Sequence, residues 1–156
     1  MKELNLPRFK FKVKESDHGT DIWDEFRKKY VALTPEEWVR QHFLKFLSEN
    51  LGYPKSLLKS EFEIKYNRMR KRPDIVAYSN QGQPLLVVEC KAPEVSISNE
   101  TFSQATVYNQ VLKAKFVVIT NGLQHFCCEQ SIETGTFQFL EKIPAYKDYM
   151  NLSNGV

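Results

Sequence analysis

Cysteine is scarce in this chain of 156 residues. Cys90, Cys127 and Cys128 are an odd number and two are adjacent, so no disulfide framework is implied. Histidine is as sparse. His18, His42 and His125 lie far apart and no Cys-x-x-Cys occurs, which argues against a structural zinc site. The six glycines form no Gly-x-x-x-x-Gly-Lys loop, so a nucleotide-driven motor is excluded, and the absence of Gly-x-Ser-x-Gly removes that hydrolase route. No apolar run approaches the ~18 residues of a membrane span. The opening Met1-Lys2-Glu3-Leu4-Asn5 has none of the apolar stretch of a secretory leader, so a cytoplasmic protein without a membrane partner is expected.

What is present suits one folded domain over residues 1–156, with its core at about 34–130 and peripheral segments at 1–20 and 149–156. Hydrophobic residues make up 42% and charged residues 26%, enough for an ordinary core. The net charge is +3, but it is unevenly spread. Residues 1–72 hold 17 basic against 11 acidic side chains, whereas residues 73–156 hold 5 against 8. A basic front half hints at a polyanionic partner.

Hydrophobic periodicity gives the elements. Phe9, Phe11 and Val13 alternate with lysines, which predicts a half-exposed strand over 7–14; residues 15–24 read as a loop, and a short strand is expected near Tyr30–Leu33. A helix opens at Thr34-Pro35-Glu36-Glu37, with Thr34 as cap and Glu37 closing a Thr-x-x-Glu box, and it stops before Gly52 and Pro54. A helical turn is allowed at 54–60. Strands follow at 61–66, 73–79 and 84–92, a second helix at 99–113 capped by Ser98 or Asn99, and a strand at 115–120. That strand returns through 123–129 after an Asn121-Gly122 turn, and a loose tail is expected from Tyr149. The result is an α/β order of helix, three strands, helix and strand, with an extra strand at each end.

Chemistry gathers at the second and third of those strands. With Gln81-Gly82 as a two-residue turn, facing residues have numbers that sum to 163, so Asp74 lies opposite Glu89. Facing carboxylates repel unless a positive charge sits between them. Lys91 projects from the same strand face as Glu89, while Cys90, Val88 and Leu86 point the other way. Two carboxylates and the Cys90 carbonyl make a hard-cation site for Mg²⁺ or Mn²⁺, and a neighbouring lysine can orient a water or stabilise developing charge. Phosphodiester hydrolysis is the reaction such a set serves best. Gln104 and Tyr108, four apart on the second helix, reach toward one spot, although Tyr108 also suits a core position. Glu37 is either a cap partner or a third acid. Arg40 is either a helix-surface residue or a phosphate contact. The run containing Lys65, Arg68, Arg70, Lys71 and Arg72 leads into Asp74 and would grip a nucleic-acid backbone or be merely solvated.

Pro73-Asp74, fourteen intervening residues and Glu89-Cys90-Lys91 resemble the PD-(D/E)xK signature of restriction-endonuclease-like nucleases. Gln104 to Tyr108 looks like the Gln-x-x-x-Tyr motif of the RecB-type branch. Thr34-Pro-Glu-Glu-Trp-Val-Arg-Gln41, Glu89-Cys-Lys-Ala-Pro93 and Thr120-Asn-Gly122 resemble the N-terminal nuclease domain of type I restriction enzyme R subunits. The likeness spans about residues 20–125. It implies a restriction-endonuclease-like core, with a mixed central sheet flanked by helices, and Mg²⁺-dependent DNA cleavage. By motif match Asp74 and Glu89 become metal ligands, Lys91 the catalytic lysine, Gln104 and Tyr108 auxiliary residues and Glu37 the helix acid, with Glu36 its adjacent alternative. R subunits carry a motor that this chain lacks. The expectation is therefore a nuclease acting alone, as a homodimer, or beside a motor or specificity subunit. A non-catalytic nucleic-acid-binding or motor-docking module of the same fold is the rival.

Overall fold

Three strands form a meander before the first helix: β1 (Val13–Ser16), β2 (Gly19–Asp24) and β3 (Lys29–Ala32), antiparallel in the order β1-β2-β3. The computed structural model describes the backbone of residues 1–61, 64–66, 69–71, 73–131 and 133–154, and the side chains of 1–61, 73–107, 109–131 and 133–150. The strand expected over 7–14 is confined to its end, and the expected loop at 15–24 is instead mostly β2. The cause is packing: Ile22 and Asp24 are fully buried, so a segment that reads as polar holds an inward-facing row.

Helix α1 (Pro35–Lys45) starts where the sequence places it, with the Thr34 hydroxyl accepting from the Glu37 N–H at 3.0 Å. Only half of the capping box forms, because the Glu37 carboxylate turns away to Arg27, Arg40 and Gln41. One π-helical turn (Phe46–Asn50) extends α1 toward Gly52, whose φ of +74° reverses the chain. A 3₁₀ turn (Lys55–Leu57) leads into β4 (Leu58–Ser60). The strand expected at 61–66 is represented by β5 (Ile64–Tyr66), which pairs with β6 (Met69–Lys71) in a separate two-stranded ribbon. Phe62 lies outside the described residues.

The central sheet is completed by β7 (Ile75–Tyr78), β8 (Pro84–Cys90), β9 (Phe116–Thr120), β10 (His125–Gln130) and β11 (Phe137–Leu140), in the order β11-β10-β9-β8-β7-β4. It is mixed: β8 and β9 run parallel and the other pairs antiparallel. Helix α2 (Asn99–Leu112), capped by Ser98, makes the crossover that a parallel pair requires. With the β5–β6 ribbon set aside, the order is αβββαβ, and β4 is its first strand. Val39, Phe43, Leu44 and Leu47 of α1 pack on one sheet face with Ile75, Leu86, Val88 and Cys90. Phe102, Ala105 and Leu112 of α2 pack on the other with Val76, Val87, Val117 and Ile119. The last helix, α3 (Tyr146–Asn154), replaces the expected loose tail: Tyr149 is buried and its hydroxyl donates to the Leu85 carbonyl at 2.8 Å.

The N-terminal segment is strapped across this core. Leu4 is buried, the Asn5 N–H donates to the Gly122 carbonyl at 2.8 Å, and the Trp38 indole donates to the Lys2 carbonyl at 2.9 Å. Gly122 has a φ of +85°, which demands glycine, and a β-carbon there would sit 2.7 Å from a Leu4 methyl, so Leu4 would have to shift. Two histidines hold the strap. His42 stacks against Phe9, Phe11 and Trp38; His125 Nε2 lies 2.8 Å from the Asn5 carbonyl, with Nδ1 2.7 Å from the Thr120 hydroxyl. Burial lowers both imidazole pKa values below the ordinary 6.5. The unfolded chain then takes up protons at these histidines first as pH falls, so the stability they contribute is full above about pH 6.5 and declines below it. Thermal melts from pH 8 to pH 5 are expected to show a flat upper limb and a falling lower one. The fall should be shallower in His125→Gln, and an unchanged acid limb there would show that His125 does not couple the strap to pH.

Candidate active site

The strand register places the candidate carboxylates at one end of a strand pair. Ile75 pairs with Val88, Val76 with Val87 and Ala77 with Leu86, each pair summing to 163, and Asp74 and Glu89 flank the Ile75–Val88 end of this ladder. The turn that produces this register is not the expected two-residue one. Tyr78 slips to face Pro84, which has no N–H for the ladder, and Ser79 closes a wider loop by accepting from the Gln81 and Gln83 N–H groups and donating its own N–H to the Gln83 carbonyl. The bulge absorbs the extra residue before the strands reach the site.

Asp74 is 5% exposed and lies at the mouth of β7. Its Oδ2 accepts the Cys90 N–H at 2.7 Å, so it touches the peptide that joins Glu89 to Cys90. Its Oδ1 accepts from Arg40 at 2.5 and 3.2 Å. Burial pushes the Asp74 pKa up, opposed by the Arg40 guanidinium and the Cys90 N–H. Glu89 is half-buried, and Lys91 Nζ stands 3.8 Å from its Oε1. The Cys90 side chain faces the core, where burial raises its thiol well above the ordinary value. Only its carbonyl remains as a donor for a metal.

Around these lies a network whose members are only partly visible in the sequence. Arg40 is 4% exposed and pairs with Glu37 at 2.5 Å, Glu61 at 3.1 Å and Glu36 at 3.2 Å as well as Asp74. It is not a helix-surface residue. Arg27 pairs with Asp24, with Glu37 at 2.8 Å and with Glu61 at 3.4 Å. Among the described residues, five carboxylates therefore surround two guanidiniums. Arg27, Asp24 and Glu61 carried no motif and gave no signal beyond their charge. Glu37 is 5% exposed and enclosed by Arg27, Arg40 and Gln41. Glu36 keeps half its side chain in solvent, and burial together with Asp74 raises its pKa against the lowering effect of Arg40 and Lys91.

Gln104 is exposed on α2, and its side chain makes no hydrogen bond to a described residue. The Tyr108 side chain lies outside the described residues, as do those of Lys65, Arg68, Arg70, Lys71 and Arg72. No three His, Cys, Asp or Glu side chains converge on a ready-made metal site among the described residues. Mg²⁺ does not need that. It is commonly held by one or two carboxylates and waters, with substrate phosphate completing the shell. A carboxylate has about four lone-pair sites; Arg40 and the Cys90 N–H occupy three on Asp74, which leaves one on Oδ2. The donor set fits a hard divalent cation.

A mixed sheet with α1 on one face, α2 on the other and an acidic pair at the β7–β8 ends is a restriction-endonuclease-like α/β fold. The model for the type I restriction enzyme R protein N terminus (HSDR_N) matches residues 35–144, and the chain belongs to that family. A structure assigned to a fragment of an HsdR subunit of a type I restriction enzyme from Vibrio vulnificus YJ016 is similar, with 22% identity and a TM-score of 0.54. The alignment covers 81% of this chain but 27% of that one, so the similarity concerns a single module of a longer protein. A protein assigned to DUF820 as a nuclease, from Anabaena variabilis ATCC 29413, aligns at 9% identity and a TM-score of 0.47, over 83% of this chain and 80% of that one. No curated protein matches the chain. Among the described residues no helix is long and apolar enough to cross a membrane.

Proposed function

We propose that the chain is a metal-dependent deoxyribonuclease that hydrolyses DNA phosphodiester bonds, acting with Mg²⁺ or Mn²⁺. The observation that carries this reading is the contact between Asp74 and the Glu89–Cys90 peptide, with Lys91 beside Glu89. Asp74, Glu89 and the Cys90 carbonyl would hold the cation. When bound, a divalent cation polarises a phosphoryl oxygen and acidifies a water. Lys91 orients the attacking water and offsets charge on the phosphorane-like transition state. Arg40 fixes Asp74, and the five carboxylates around two arginines favour a further cation at the site. Gln104 and Tyr108 would steady Lys91 or a phosphate, and the basic run from Lys65 to Arg72 would grip the backbone without reading sequence. DNA is the proposed partner, with a motor or specificity subunit, or a second copy of the chain, beside it.

One observation favours a second reading, a non-catalytic nucleic-acid-binding or motor-docking module: Arg40 already satisfies Asp74 Oδ1. Supercoiled plasmid incubated with the full chain in Mg²⁺, in Mn²⁺ and in chelator separates the two. The nuclease converts supercoiled DNA to nicked circles in the metal arms only. Intact plasmid in every arm, with DNA bound equally well in chelator, would leave the binding module.

A further inference from the structure

A nuclease site rich in carboxylates repels the phosphates it must approach, so a neighbouring basic surface has to hold the strand. The β1–β3 meander is such a neighbour. Ile22 and Asp24 of β2 face inward and are fully buried, while the alternate residue, Trp23, faces out and pairs across the sheet with Tyr30. The two rings meet edge to face at 5.1 Å and both remain half-exposed. Lys12 completes the row: the Trp23 N–H donates to its carbonyl, and its ammonium lies 5.7 Å from the Trp23 ring and 5.9 Å from that of Tyr30. Lys14 reaches back to place its ammonium 4.1 Å from the Tyr30 ring. Neither lysine forms a salt bridge to a carboxylate among the described residues, and Lys14 lies across the strands from Asp21. Two aromatic rings and two such cations on one outward face are what alternating bases and phosphates need. The platform is also tied to the candidate site, because Asp24, which follows Trp23, holds Arg27, and Arg27 holds Glu37.

We infer that the outer face of the meander is a binding surface for single-stranded nucleic acid, with Trp23 and Tyr30 stacking on bases and Lys12 and Lys14 holding phosphates. The reading deepens the proposed nuclease and rests on it for the identity of the ligand. It gives DNA a seat outside both the motif residues and the basic run that precedes Asp74.

Fluorescence in chelator tests this without any cleavage. The chain has two tryptophans, so Trp38→Phe leaves Trp23 as the sole reporter. Titration of that full-length protein with a twelve-nucleotide oligothymidylate is expected to quench the emission, and added NaCl to restore it. Tyr30→Ala should weaken binding about ten-fold. Lys12→Gln with Lys14→Gln, both exposed and so harmless to folding, should flatten the log–log salt slope by about 1.4. An unquenched Trp23, a duplex bound in preference with no change in emission, or an unaltered salt slope in the lysine variant would each overturn the platform. The two readings fail separately. A quenched Trp23 in a protein that never nicks plasmid keeps the platform and removes the nuclease. Metal-dependent nicking with an unquenched Trp23 does the reverse.

Discussion

Lys91→Ala is expected to lower plasmid nicking by about 10²–10⁴-fold while leaving the melting temperature nearly unchanged. The two effects separate because of where the lysine sits. Its ammonium is one-third exposed and 3.8 Å from Glu89, an arrangement worth at most about 1 kcal/mol to folding. In hydrolysis the same charge lies beside the proposed cation, where a missing positive group acts on the transition state and not on the ground state. Single-turnover nicking at saturating metal, read beside a thermal melt, checks both. A variant that melts far below wild type, with activity falling only in proportion to the folded fraction, would recast Lys91 as structural.

Arg40→Ala is expected to have the opposite signature. The guanidinium is almost wholly buried and touches Asp74, Glu36, Glu37 and Glu61. Its removal leaves Glu37 and Glu61 to Arg27 alone and takes the guanidinium from Asp74 and Glu36, and breaking a buried pair from one side costs about 3–5 kcal/mol. For a domain of this size that corresponds to a drop of about 6–20 °C in melting temperature. The pH dependence carries the diagnosis. Without Arg40 the folded-state pKa values of Asp74 and Glu36, already raised by burial, rise further above those of the unfolded chain. The stability they contribute is then present below the unfolded pKa and is lost as pH rises through the folded one. The deficit against wild type should therefore shrink on acidification toward pH 4. A deficit independent of pH would mean that the loss comes from packing of the arginine stem. Arg40→Lys should recover only part of the difference, since one ammonium cannot reproduce a planar fork shared among four acids.

The same contrast explains what could be read in the sequence. Local signals were sufficient where one short segment settles its own structure, as in the Thr34 cap, the Ser98 cap and the alternation along Leu86–Cys90. The register of the β7–β8 ladder, whose inner pairs sum to 163, was legible too. The turn behind it was not, since Pro84 forces a bulge that happens to restore the same sum. β2 was missed because its buried row contains an aspartate, whose partner Arg27 is supplied by the loop after it. α3 was missed because Tyr149 is buried only through contacts with residues far away in the chain. Arg40 reads as a surface residue or a phosphate contact for a related reason: nothing within its helix announces that Asp74 and Glu61, from the strand region, close over it. The proposed site residues are named from their spacing, whereas the arginine network around Asp74 has no spacing to find.

Asp74 and Glu89 are proposed to hold the divalent cation through which DNA is cut. That proposal is tested most directly by the nicking rate as Mn²⁺ is raised from micromolar to millimolar, in wild type and Glu89→Gln. Wild type should be inactive in chelator and rise to a plateau, and Glu89→Gln should stay about 10²-fold or more below it at every concentration. Equal rates in the two proteins, or wild-type nicking that persists in chelator, would contradict it.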